Sequence, residues 1–168
     1  PLIDPMAGGA TIAIEAAGLA AGAAIRRPSE LPYRHLAAFN GLPDDTPDLF
    51  PGTVPQIAAL DIDPDRILAM VGNLRAAGLT GPAHDTSIVV GQQDVRGLTP
   101  EAVERLLPSV RDMQPGVFCF NPPYGVRIGA EQGEAKLLEL YADMGRALAR
   151  FRGWRAACFV ANQNFVYA

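Results

Sequence analysis

The chain has 168 residues, 49% of them hydrophobic, with 14 Lys and Arg against 18 Asp and Glu, 2 Cys and a formal charge of -4. This composition excludes a disordered, collagen-like or disulfide-stapled chain, and the net negative charge argues against a strongly basic nucleic-acid glove. With no run of about 18 uncharged apolar residues and no basic-then-apolar leader, the expectation is a soluble, cytoplasmic domain able to bury roughly 70% of its unfolded surface.

In chain order, Leu2 and Ile3 end a short apolar run, and Ala10 to Ala24 reads as a helix of small residues carrying Ile12, Ile14, Ala17 and Leu19. A Pro- and Asp-rich stretch, about 26 to 55, follows as a long irregular insertion. Gln56 to Ile62 predicts a buried strand. Pro64 to Ala77 predicts a helix with proline in its first turn and Gly78 past its end. Ile88 to Val90 is the third strand, and Pro100 to Leu107 is a short helix with Thr99 as its N-cap. Val117 to Phe120 is the fourth strand. Glu134 to Phe151 places Leu137, Leu138, Tyr141, Met144 and Leu148 on one helical stripe, and Trp154 to Ala161 is the fifth strand. Continuous apolar strands separated by helices imply a mainly parallel, doubly wound α/β sheet, with function at the carboxyl ends of its strands. Cys119 and Cys158 sit singly in apolar runs and read as core thiols, not as a redox or metal pair. No metal site is expected.

An acidic or polar residue stands at each strand exit: Asp4, Asp61, Asp94 and Asn121. The first exit, Asp4-Pro5-Met6-Ala7-Gly8-Gly9-Ala10-Thr11, is a glycine turn opening a helix, which offers backbone N–H groups to an anion. It lacks the lysine of a phosphate loop and the spaced glycines of a dinucleotide site, and Asp4 would repel phosphate. A ligand with an ammonium for Asp4 and a carboxylate for the turn fits better. Asp61, with Ile62 beside it, suits ribose hydroxyls, and Asp94, with Val95, suits an exocyclic adenine amine. An amino acid, a ribose, an adenine and a sulfonium cation tolerated by an acidic pocket together describe S-adenosylmethionine. The acids taken singly also fit the plainer role of turn caps.

Asn121-Pro122-Pro123-Tyr124 is the most specific tetrapeptide. Two prolines remove two N–H donors and fix the backbone, so the Asn121 amide oxygen and the Pro122 carbonyl can accept both hydrogens of an exocyclic amine. That pairing turns the nitrogen lone pair toward a methyl donor. Tyr124 offers a stacking face worth on the order of 1 to 3 kcal/mol. Residues 1 to 100 carry a charge of -5 and residues 101 to 168 a charge of +1, a split that suits a cationic cofactor on one side and a polyanion on the other.

The first turn, with Ile14-Glu15-Ala16-Ala17 after it, resembles the Asp-Pro-Met-Cys-Gly-Ser-Gly-Thr motif of the bacterial large-subunit rRNA guanine-N2 methyltransferases and their THUMP-associated relatives. Ala59 to Pro64 and Asn73 to Gly78 look like that family's second motif and its helix. Asn121 to Gly125 with Arg127 is similar to its catalytic loop, and Gly153-Trp154 opens a strand where the family has the same pair. The resemblance covers nearly the whole chain. It implies a Rossmann-like class I methyltransferase domain over 1–168, a fragment truncated at both ends, whose upstream THUMP-type RNA-binding module is absent. It further implies that Asp4, Pro5, Met6, Ala7, Gly8, Thr11, Asp61, Ile62, Asp94, Val95 and Asn121 hold S-adenosylmethionine. Asn121, Pro122, Pro123 and Tyr124 would hold the target amine. The implied partner is RNA of the 23S rRNA type with a flipped or unpaired target base, with no membrane and no metal. Ala7, Gly9 and Ala10 depart from the family's Cys, Ser and Gly, and a methyl group at Ala10 is expected to narrow the approach of the methionine moiety. The same loop occurs in DNA adenine-N6 methylases, and a noncatalytic nucleotide- or RNA-binding module is the third reading.

Overall fold

The computed structural model describes residues 1–20, 36–39, 56–79, 87–107, 115–123, 132–160 and 165. Five strands, β1 (Leu2–Asp4), β2 (Gln56–Asp61), β3 (Ser87–Gln92), β4 (Val117–Phe120) and β5 (Arg155–Cys158), form one sheet in the order β3-β2-β1-β4-β5. Every neighbouring pair is parallel, with Ile3 opposite both Ala58 and Phe118. The helices between them are α1 (Thr11–Ala20), α2 (Pro64–Ala76), α3 (Pro100–Leu106) and α4 (Gln132–Leu148). A parallel neighbour cannot be reached by a tight hairpin, so each strand must be followed by a crossover segment.

Alternation along the central strands explains why they read as unbroken apolar runs. Ile57 and Ala59 of β2 pack with Ala13 and Ala17 of α1 and Met70 of α2, whereas Ala58 and Leu60 pack with Val103 of α3 and Tyr141 and Met144 of α4. Ile88 and Val90 of β3 go with the first group, and Val89 goes with the second. Successive side chains of a strand point to opposite faces, so a sheet covered on both sides needs apolar residues at both parities. The alanines of α1 let that helix lie close on its face. The other face takes the aromatics: Phe118, Phe151 and Trp154 meet with centroids 4.9 to 5.3 Å apart.

The expected elements are all present, with shifted ends. α2 begins as foreseen, Asp63 capping the Asp65 N–H at 2.9 Å with proline in the first turn. α3 starts on Thr99, whose hydroxyl accepts from Ala102 N–H at 3.2 Å. α4 stops at Leu148, and Phe151 is instead a buried plug after the helix. Trp154 precedes β5, and Gly153 just before it makes the turn out of α4 in the left-handed region at φ 82°. Gly116 precedes β4 for a different reason: a Cβ there would lie 2.6 Å from the Pro1 carbonyl oxygen. Within the insertion expected at 26–55, the described residues show one turn, Ala37–Phe39, and the rest lies outside the described residues, as do Ala21 to Ala24 and Ala161.

Candidate cofactor and amine site

The strand order reverses at β1, which has β2 on one side and β4 on the other, and ligands of open α/β sheets bind at such a point. Asp4 ends β1 there. It is 2% exposed, and its Oδ1 accepts the Met6 N–H at 3.1 Å. Burial pushes its carboxyl up to about 7, against the Met6 hydrogen bond and aided by the negative charge of Asp61. A carboxyl held near neutrality in this way is poised to ionise for a cation.

The glycine turn is tied to β2. Ala7 N–H donates to the Leu60 carbonyl at 2.8 Å, Gly8 N–H to Asp61 Oδ2 at 2.9 Å, and Ala10 N–H to the Ala7 carbonyl at 2.7 Å. The turn is therefore less open to an anion than its sequence suggests, because Met6, Ala7, Gly8 and Ala10 spend their N–H groups on the protein. Asp61 is the hub. Its second oxygen accepts Asp63 N–H at 3.0 Å, so it joins the first turn to the start of α2 while two oxygens retain further lone pairs for a ligand hydroxyl. Asn73 of α2 closes the other side, its Nδ2 donating to the Gly9 carbonyl at 2.8 Å.

Ala10 departs from the expectation. Its φ is 64°, in the left-handed region that glycine favours, and its side chain is fully buried among Ala13, Ala17, Ile57 and Met70. Its methyl lines neither cavity described below, so it does not narrow the approach of a ligand; the substitution acts as backbone strain.

Asp94 caps the turn Val95–Gly97 and is gripped by Arg96, whose Nε and Nη2 reach its carboxylate at 2.9 and 2.5 Å. The Arg96 side chain holds the Asp94 carboxyl below its ordinary range. The acceptor capacity expected of this carboxylate is thus taken up in part by an arginine two residues away.

Two cavities flank the tip of β1 and share Met6 and Asn121 as their common wall. The first, of about 520 Å³, collects Pro5, Asp61, Ile62, Asp94 and Val95, with Pro123 at its edge. The second, of about 800 Å³, collects Asp4, Ala7, Gly8 and Thr11, with Glu15, Cys119 and Phe159. Both lie in the size range of small-molecule sites. Of the residues foreseen for the site, Pro122 lines neither cavity and is fully buried, and Tyr124 lies outside the described residues. Gln93, Arg96 and Leu140 join the first cavity unforeseen. The sequence pattern places Tyr141 on a core stripe, yet its hydroxyl donates to the Pro123 carbonyl at 2.6 Å; a hydroxyl on an otherwise apolar stripe is the signal for such a contact.

Doubly wound topology, an acidic exit beside a glycine turn and an Asn-Pro-Pro loop across the switch point define a Rossmann-like, class I methyltransferase domain. Solved structures share this fold: a possible methylase from Clostridium difficile 630 has a TM-score of 0.66 at 22% identity, and SMU.472, described as a methyltransferase and complexed with SAH, has 0.68 at 20%. Each is matched over 99% of this chain and 41% of its own. The chain belongs to the RMKL-like methyltransferase domain family, whose model matches residues 1–168. It is 32% identical over 99% of its length to the ribosomal RNA large subunit methyltransferase K/L of Methylococcus capsulatus, and it spans about 21% of that relative's length.

Proposed function

We propose that this domain transfers a methyl group from S-adenosylmethionine to an exocyclic base amine, guanine N2 of large-subunit ribosomal RNA. The observation that carries the reading is the convergence of Asp4, Asp61, Asp94 and Asn121, from four separate strands, on adjoining cavities around the tip of β1. The donor set suits this cofactor. Acidic groups and carbonyls favour a cation, the buried Asp4 carboxyl has an ammonium as its natural partner, and Asp61 and the Ile62 and Val95 side chains frame a nucleoside. When bound, S-adenosylmethionine supplies an electrophilic methyl group on its sulfonium.

The chain's own residues then position the acceptor. An aromatic amine is a poor nucleophile because its lone pair is delocalised into the ring. Asn121 Oδ1, on the wall shared by both cavities, would accept an amine hydrogen and favour a tetrahedral nitrogen whose lone pair faces the methyl donor, whereas Pro122, fully buried and lining neither cavity, fixes the backbone beside it. That lone pair forms the N–C bond as the S–C bond breaks. The proton of the resulting ammonium leaves to water. Bonds to a developing charge are worth about 1.5 to 3 kcal/mol each, and placement contributes several more. The target base must first leave its stack or lie unpaired. The choice of rRNA over DNA rests on the kinship with the K/L enzymes, whose printed name specifies ribosomal RNA.

The test is Asn121→Ala in the full-length enzyme. Methyl transfer should fall about 100-fold or more, with S-adenosylmethionine affinity within threefold of the parent. Undiminished transfer would remove Asn121 from the reaction. Mass spectrometry of the modified nucleoside decides between N2-methylguanosine and N6-methyladenosine, and calorimetry without heat on adding the cofactor would favour a noncatalytic binding module.

A further inference from the structure

The Asn-Pro-Pro segment has an anchoring problem. Neither Pro122 nor Pro123 carries an N–H, so backbone hydrogen bonds can hold those two residues only through their carbonyls. On the strand side, the Phe120 carbonyl accepts Phe159 N–H at 3.0 Å, a continuation of the sheet ladder. On the far side, the Pro123 carbonyl accepts the Tyr141 hydroxyl at 2.6 Å. Asn121 and Pro122 lie between these two fixed points.

Tyr141 is itself rigidly held. It is 3% exposed in α4, packed with Phe118, Phe120 and Met144, and its ring meets Phe165 edge-on with centroids 4.8 Å apart. Phenylalanine would fill the same space without the cost of desolvating a hydroxyl, so packing alone does not account for the oxygen. The same helical segment braces the opposite wall of the smaller cavity. Leu140 lines that cavity, and Arg150, just past the end of α4, donates to the carbonyls of Arg96 and Leu98 at 3.3 and 3.0 Å, which fixes the turn carrying Val95.

We propose that Tyr141 is a positioning residue for methyl transfer: by holding the Pro123 carbonyl it fixes the backbone that sets Asn121 Oδ1 where it receives an amine hydrogen. This rests on the reading of Asn121 as an amine acceptor. Removing the hydroxyl leaves the ring, the core and the cofactor contacts in place while freeing one end of the loop. A displacement of that acceptor by a fraction of an ångström weakens catalysis far more than it weakens binding.

The experiment compares the full-length enzyme with Tyr141→Phe by steady-state methyl transfer, cofactor calorimetry, thermal melting and amide hydrogen exchange. Expected are a fall in kcat of about tenfold, unchanged KM for RNA, cofactor affinity within twofold, and faster exchange at Asn121 and at the amides following Pro123, with α4 unchanged. Parental kcat and parental exchange would overturn the proposal. So would a lower melting temperature with faster exchange throughout α4 and weaker cofactor binding, since those mark a purely structural tyrosine. If the parent enzyme methylates no base amine, the functional reading fails; faster loop exchange in Tyr141→Phe would still uphold the anchoring, and unchanged exchange would overturn that as well.

Discussion

Ala10 sits at φ 64° with no exposed surface, and its energetics are a contest between two modest terms. The left-handed conformation costs a non-glycine residue roughly 1 to 2 kcal/mol, whereas its buried methyl returns about 0.8 kcal/mol and glycine would lose about 0.5 to 1 kcal/mol of chain entropy. Ala10→Gly is therefore expected to change stability by less than about 1 kcal/mol. Ala10→Val, which adds a β-branch in the same conformation and the same packed space, should cost more than about 2 kcal/mol. Thermal or urea melts of the two variants check this, and a large gain from glycine would show that the strain dominates.

Asp4 predicts opposite pH trends for folding and binding. Its carboxyl titrates near 7 in the folded chain against 3.8 when unperturbed, so between about pH 4 and 7 the folded state keeps a proton that the unfolded state has lost. The stability this contributes is present at low pH and is lost as pH rises through 7. A cationic ligand requires the ionised form, so affinity for S-adenosylmethionine should increase from pH 6 to pH 8. Asp4→Asn should flatten both profiles; calorimetry and melting across that interval measure them, and an unchanged binding slope in the variant would exclude Asp4 as the titrating group.

Among the elements, α2 and α4 act as braces for loops they do not contain. Asn73 on the exposed side of α2 reaches the Gly9 carbonyl, and Asp63 at its start accepts from the first turn of the helix while its own N–H goes to Asp61. Asn73→Ala removes one neutral, exposed hydrogen bond and should cost about 1 kcal/mol of stability or less, with cofactor affinity weakened by a few-fold because the glycine turn loses its outer tether. A melt and a calorimetric titration on the same sample separate the two effects; unchanged affinity would mean that β2 alone fixes the turn. The periodicity of α4 revealed its buried stripe but said nothing of where Tyr141 and Arg150 deliver their polar ends, because all three partners are carbonyls 18 and more than 50 residues away.

For the whole molecule, a ligand that binds only the folded chain must raise its stability, by about 2.7 kcal/mol at a concentration 100 times Kd. In a chain of this size that corresponds to an upward shift in Tm of roughly 5 to 10 °C with saturating S-adenosylmethionine. The absence of a saturable shift would leave the adjoining cavities without their proposed occupant.

Hydrophobic pattern and turn chemistry carried the architecture: the unbroken apolar strands required cover on both faces, Pro64, Pro100 and Thr99 marked helix starts, and Asp4, Asp61, Asp94 and Asn121 announced the exits. Those signals are local, and local physics decides them. Tertiary structure decided which groups remain available to a ligand. Gly8 N–H and the Asp94 carboxylate, both expected as ligand contacts, are met by Asp61 and Arg96; the Ala10 methyl turns into the core; and a tyrosine of the apolar stripe holds the Asn-Pro-Pro segment. A hydrogen bond needs both partners within about 3 Å, and only the folded sheet, with its order reversed at β1, brings such distant groups that close.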